Sequence, residues 1–403
     1  MKYIVILGDG MADEPIPSLQ NKTPLEVAAK PAIDYLASHG EVGLVNTIPA
    51  HMSPGSDTAN LSVMGYDPQV YYTGRSPLEA VSMGIHMEET DICFRCNLVT
   101  LTEEEPVYEE KRILDHSADE ITSEEAKVLI EAIQEAFGDE EISFHPGVSY
   151  RHALIWHHGS MQVTLTPPHD ILERTVGGYM PKGDNSDRIH AMMAKSYEIL
   201  NNHPVNLDRA ARSLRKANSL WIWGEGKKPQ LPSFQEKYGM KGAMISAVDL
   251  LKGIAIAADM KSIDVEGATG NIHTNYEGKA QACVDVLKEG YDFVYVHIEA
   301  PDECGHRGET ANKVRSIELL DQRIVKPIMQ QMDDAGFEYK IMVLPDHPTP
   351  IAYRTHTRTP VPYLIYKSAG DTWTNHRYDE KYAKTTHRFF PEGHKLMDYF
   401  LDH

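Results

Sequence analysis

Tyr3-Ile4-Val5-Ile6-Leu7, followed at once by Gly8-Asp9-Gly10, is the stretch from which the fold can be read. The run is unbroken, apolar and rich in β-branched residues, and it stops at a glycine turn. Alternation would mark a strand with one wet face. An unbroken run suits a strand buried on both faces, as in a parallel sheet covered by helices. The same design recurs downstream. Ser219-Leu220-Trp221-Ile222-Trp223 stops at Gly224, and Ala243-Met244-Ile245-Ser246 leads into a helical pattern over 249–258. Residues 291–298 run into Glu299-Ala300-Pro301-Asp302, ahead of a long amphipathic pattern over 311–334. Lys340-Ile341-Met342-Val343-Leu344 ends at Pro345-Asp346-His347. Strands alternating with helices imply βαβ units and an α/β fold, a mostly parallel sheet flanked by helices.

In such sheets ligands bind at the carboxyl ends of the strands. Asp9, Asp302, Asp346 and His347 all follow an apolar run directly, so the fold brings them to one edge although long stretches of chain separate them. Asp302 and His306 are four residues apart, close enough to reach one ion from a single turn. Asp346 and His347 are adjacent and approach from different sides, and His356 trails them. Mixed Asp/His ligation suits manganese or zinc better than calcium, which takes oxygen ligands. Two divalent ions are expected, manganese first, with zinc, magnesium or cobalt as alternatives. A two-metal site stabilises both oxygens of an in-line phosphoryl displacement. His51, His86, His157, His158, His203, His387 and His403 have no such context and read as surface or core residues.

Ser56 lies after a Pro-Gly turn in Pro54-Gly55-Ser56-Asp57-Thr58-Ala59-Asn60. By itself it reads as a helix N-cap. Beside the metal ligands it reads as a nucleophile, because a metal lowers a serine hydroxyl's pKa and free N–H groups at a helix start receive a phosphate.

From 90 to 204 the texture changes. Acidic stretches, a helix opened by Thr122 with Glu125 in capping-box spacing, and strand-like runs at 151–157 and 161–165 suggest an α+β domain inserted into the core. The expected division is a discontinuous core of 1–89 and 205–403 with an insertion at 90–204. A chain of 403 residues exceeds what one hydrophobic core supports, so two domains are expected on length alone. The net charge of -20 argues against nucleic acid, which needs clustered cations. No stretch reaches membrane-spanning length. Cys93, Cys96, Cys283 and Cys304 are too few and dispersed for a disulfide scaffold, and a reducing, cytoplasmic setting is expected. Cys93 and Cys96 have redox spacing but read as two thiols of one strand.

The whole chain resembles the cofactor-independent phosphoglycerate mutases, in the shorter archaeal-type branch of the alkaline phosphatase superfamily. The resemblance is carried by Gly8-Asp9-Gly10-Met11-Ala12-Asp13, by residues 54–68, and by Gly74-Arg75-Ser76-Pro77-Leu78-Glu79-Ala80. It continues through Phe94-Arg95-Cys96-Asn97, Trp221-Ile222-Trp223-Gly224, residues 299–306, Asp346-His347 and residues 356–362. It implies that Ser56 is phosphorylated during the cycle. It also implies that Asp302, His306 and His356 hold one metal, and Asp9, Asp346, His347 and the Ser56 oxygen the other. Ser56 would take the phosphoryl group from one hydroxyl of the glycerate and return it to the other, interconverting 3-phosphoglycerate and 2-phosphoglycerate. Cations must then hold this small phosphorylated acid. Arg95, Arg151, Lys279 and Arg75 are the candidates, each equally readable as an ordinary ion-pair partner, and His169-Asp170 reads either as part of the same pocket or as a structural turn. The motifs are shared with bacterial chains proposed to be homoserine kinases in threonine biosynthesis, and with phosphomonoesterases. Against a kinase, Gly224-Glu225-Gly226-Lys227-Lys228 lacks the spacing and the Ser/Thr of a Walker motif.

Overall fold

The computed structural model describes residues 1–370 and 372–402, and His403 lies outside them. The chain divides into two compact units, Met1–Tyr72 with Gln230–His403, and Thr73–Pro229.

The first unit is built on an eight-stranded sheet. Across it the strands run Lys261–Ile263, Gly242–Ile245, Phe293–Ile298, Lys2–Gly8, Tyr339–Leu344, Val361–Lys367, Glu41–Val45 and Phe389–Phe390. Val361–Lys367 runs antiparallel to both neighbours, and the other pairings are parallel. The opening run is central: Leu7 lies level with His297 on one side and Leu344 on the other. Its residues Ile4 to Leu7 are fully buried, as an unbroken apolar strand requires. Three strands therefore end side by side, followed by Asp9, the 299–302 segment and Asp346. The amphipathic stretch after them is helical from Thr310 to Asp334, with a π-turn at Asp321–Val325.

The second unit is an antiparallel sheet with helices packed on it. Its strands run Ile113–Asp115, Asp91–Leu101, Arg151–His157 and Ile142–His145, and Ser219–Lys227 also pairs with Asp91–Leu101. That last pairing corrects one expectation. Ser219–Trp223 belongs to this antiparallel sheet rather than to the parallel one. The reason is burial: the strand is enclosed on both faces here too, and enclosure, not strand direction, produces an unbroken apolar run. The unit consequently extends beyond 90–204 at both ends, also taking in the Arg75–Ser82 helix. Thr122 caps the Ser123–Phe137 helix, but the Glu125 carboxylate turns to Arg209 at 2.6 Å instead of closing the reciprocal bond. Cys93 and Cys96 are free and buried on the Asp91–Leu101 strand.

Candidate metal centre

Gly10 shapes the first of the three strand ends. Its φ of +61° turns the chain so that its N–H donates to Asp346 Oδ1 at 3.1 Å. A Cβ there would lie 2.8 Å from the Asp302 Cα, so only glycine allows the two loops this close. Asp302 and His306 sit one turn apart on the Ala300–Arg307 helix, their side chains 3.3 Å apart. Ser56 is the first residue of the Ser56–Val63 helix, and Gly55 takes the N-cap position, so the serine hydroxyl is left for other contacts. First-turn N–H groups have no intrahelical acceptor, which gives the hydroxyl's surroundings a positive edge.

The side chains converge. Ser56 Oγ lies 3.0 Å from His347 Nε2 and 3.5 Å from Asp9 Oδ2. His347 Nε2 is 3.4 Å from Asp9 Oδ1 and 3.3 Å from Asp346 Oδ2. His356 Nε2 lies 3.2 Å from Asp302 Oδ1 and 2.9 Å from His306 Nε2. Two groups of donor atoms result, Asp9, Asp346 and His347, and Asp302, His347 and His356, with His347 common to both. His306 joins the second through its contacts with Asp302 and His356.

The charge balance of the cluster favours cations. Burial first, and then the Asp346, Asp302 and Glu299 carboxylates, push the Asp9 carboxyl well above the usual carboxylate range. Asp9 Oδ1 is buried without a hydrogen-bond partner, an orphaned acceptor facing two more ligand-type side chains. Burial acts to raise Asp302 as well, but hydrogen bonds from His306 and His356 hold it well below the usual range. Burial lowers the His347 pKa, favouring the neutral ring that a metal requires. Crowded carboxylates, the neutral His347 ring and an orphaned oxygen fit divalent ions, and the same atoms without them would be strongly destabilising.

Three of the four cations proposed from the sequence fall in the second unit. Arg95 stacks its guanidinium 5.0 Å from the Trp223 ring, with Nε 3.6 Å from Glu79 Oε2. Burial lowers its pKa, and the neighbouring Arg75 and Arg151 charges act in the same direction, so the three cations feel one another. Arg75 pairs with Glu79 at 2.8 Å, and Arg151 lies 5.2 Å from the Tyr150 ring. His169 packs edge-on against Trp223 at 5.4 Å and is 6.2 Å from His116. Lys279 is different. It is 1% exposed and donates to the His297 carbonyl oxygen at 3.1 Å, so it is a core residue and not an open cation.

Sequence reading missed the residues that hold the ligands. His297 Nε2 lies 2.8 Å from Asp9 Oδ2. Tyr295 donates to Asn60 Oδ1 at 2.6 Å, and Asn60 donates to Asp346 Oδ2 at 2.9 Å and to the Ser56 carbonyl at 2.7 Å. Lys313, fully buried, pairs with Asp13 at 2.8 Å and donates to the carbonyl of Thr349, whose hydroxyl bonds Asp302. The available signal was polarity inside a buried strand: Tyr295 and His297 alternate with valines.

The sequence profile described as 2,3-bisphosphoglycerate-independent phosphoglycerate mutase matches residues 37–206. A relative from Geobacter sulfurreducens, described as a probable mutase of that kind, is 47% identical over 405 residues, covering all of both chains. The chain belongs to this family. A Methanosarcina barkeri relative described by the same name is 49% identical over 95% of each chain. Among solved structures, the cofactor-independent phosphoglycerate mutase of Thermoplasma acidophilum aligns with a TM-score of 0.67 and 29% identity. That alignment covers 100% of this chain and 99% of the other. A Pyrococcus horikoshii protein aligns at 0.81 and 28%, over 100% and 96%.

Proposed function

We propose that the chain interconverts 3-phosphoglycerate and 2-phosphoglycerate through a phosphoserine at Ser56, with two divalent ions, manganese foremost, at the clustered side chains. One observation carries the reading: in a chain of this family, Ser56 Oγ sits 3.0 Å from His347 at the start of a helix, beside the Asp9 and Asp346 carboxylates. Asp302, His306 and His356 would hold one ion, and Asp9, Asp346, His347 and Ser56 the other. When bound, such ions lower the pKa of a serine hydroxyl and offset charge on transferring phosphoryl oxygens.

The protein's own part is positioning. Ser56 Oγ attacks phosphorus: the Oγ–P bond forms and the bond to the glycerate oxygen breaks. Backbone N–H groups of the first helical turn donate to the phosphoryl oxygens as charge builds. The second glycerate hydroxyl then attacks the phosphoserine, restoring Ser56. Arg75, Arg95 and Arg151 are proposed to bind the carboxylate and phosphate of the substrate, which Arg does bidentately.

The purified protein supplied with Mn2+ should convert 3-phosphoglycerate to 2-phosphoglycerate, with no phosphorylation of homoserine by ATP and no net phosphate release. Ser56→Ala should remove the interconversion. A Ser56→Ala protein that still interconverts the two esters rules out the phosphoserine route, and turnover of homoserine with ATP alone overturns the assignment.

A further inference from the structure

We propose that His297, held in one tautomer by Ser246, is the positioning residue that fixes the Asp9 carboxylate for the ion at Ser56. The inference rests on the divalent-ion reading above and assigns a role to residues on which that reading does not depend.

The strand Phe293–Ile298 lies beside the strand that ends at Asp9. Val294, Val296 and Ile298 face the main hydrophobic core, which leaves Tyr295 and His297 on the opposite face. His297 is fully buried and has polar partners at both ring nitrogens: Asp9 Oδ2 at 2.8 Å from Nε2, and Ser246 Oγ at 3.1 Å from Nδ1. Ser246 Oγ already accepts the Val248 N–H at 3.0 Å. Its single proton is therefore free to be donated to Nδ1. An ionised Asp9 Oδ2 can only accept, which places the ring proton on Nε2 and leaves Nδ1 to accept from the Ser246 hydroxyl.

Asp9 Oδ2 meets His297 Nε2 at 2.8 Å and lies 3.5 Å from Ser56 Oγ, and Oδ1 is the buried oxygen with no hydrogen-bond partner, 3.4 Å from His347 Nε2. A ring with its proton on Nε2 and none on Nδ1 is neutral, so it orients the Asp9 carboxylate without competing as a cation with an ion. Asp302 is held by a different donor, the Thr349 hydroxyl, beside its contacts with His306 and His356. The two ions should therefore respond differently to loss of His297. Outer-sphere hydrogen bonds of this kind commonly change metal affinity 10–100-fold.

The test is Mn2+ titration calorimetry on the metal-free full chain, with manganese electron paramagnetic resonance to report coupled ion pairs. Wild type should take up two ions. In His297→Leu one ion should weaken about 10–100-fold, with loss of the coupled signal, while the other keeps its affinity. His297→Gln, whose amide N–H can reach the place of Nε2, should recover most of the lost affinity. Ser246→Ala leaves the ring in place with its tautomer unconstrained, and should weaken the same ion several-fold. It carries the test if His297→Leu does not fold. Wild-type affinities for both ions in His297→Leu, or in Ser246→Ala, overturn the inference. So does a His297→Gln protein as weak as His297→Leu, which would show a packing role only. A wild-type protein that binds no ion pair overturns the metal reading itself.

Discussion

Lys279 carries its ammonium into the core of the first unit, where burial lowers its pKa to about 8 and the Glu299 carboxylate opposes the shift only in part. A lysine with a depressed folded pKa is charged at a cost at neutral pH. Between about 8 and its unfolded value of about 10.4 the native state gives up the proton first, so stability rises with pH across that window. Full development of the shift corresponds to about 3 kcal/mol at 1.36 kcal/mol per unit. Comparing urea midpoints of wild type and Lys279→Met at pH 7 and pH 10 isolates this group. The wild type should gain on the variant as pH rises, and a constant difference would mean that the ammonium is solvated. The same side chain shows where reading by residue type fails. A lysine in a polar-looking stretch looks like an open cation, and only the packing of its helix shows that it points inward. Ser56, Asp9 and Asp346 could be singled out as candidates because each comes just after a strand or a glycine turn.

At the scale of elements, the strand Phe293–Ile298 does two things at once. One face joins the hydrophobic core, and the other presents Tyr295 and His297 to the carboxylates. Its polar face anchors a hydrogen-bond chain: Tyr295 donates to Asn60, and Asn60 ties Asp346 to the start of the Ser56 helix. Tyr295→Phe removes the donor to a buried amide oxygen and should cost about 1–3 kcal/mol, read as a lower denaturant midpoint at unchanged slope. An unchanged midpoint would mean that Asn60 is held by its other bonds alone. Strand existence was plain in the sequence, but the partner of a strand was not. The runs at 220–223 and 3–7 carry the same unbroken apolar signature, yet one lies in an antiparallel strand and the other in a parallel one. Enclosure produces the pattern in both, and pairing direction is fixed by chain connections that a local run does not encode.

For the whole molecule, the strand order of the first unit brings residues as far apart as Gly10 and Asp346, 336 positions, into contact. Ions that bind only the folded state stabilise it by mass action, about 2.7 kcal/mol for each at a hundredfold excess over its Kd. Chelator should therefore lower the melting temperature, and Mn2+ should restore it in proportion to concentration. A melting temperature indifferent to both would separate the carboxylate cluster from any metal. The change in texture after the first ninety residues suggested an insertion, and the chain divides at 72/73 and 229/230. Those limits were not readable, because the flanking helix and returning strand look like core elements until their pairing is seen.

The central claim is that distant carboxylates and imidazoles form one binuclear cage around Ser56. Anomalous diffraction from crystals grown with Mn2+ tests it most directly. The account predicts two peaks, one touching Asp9, Asp346 and the Ser56 hydroxyl, the other touching Asp302, His306 and His356. A fully occupied crystal with no anomalous peak within ligand distance of Ser56 Oγ would contradict it.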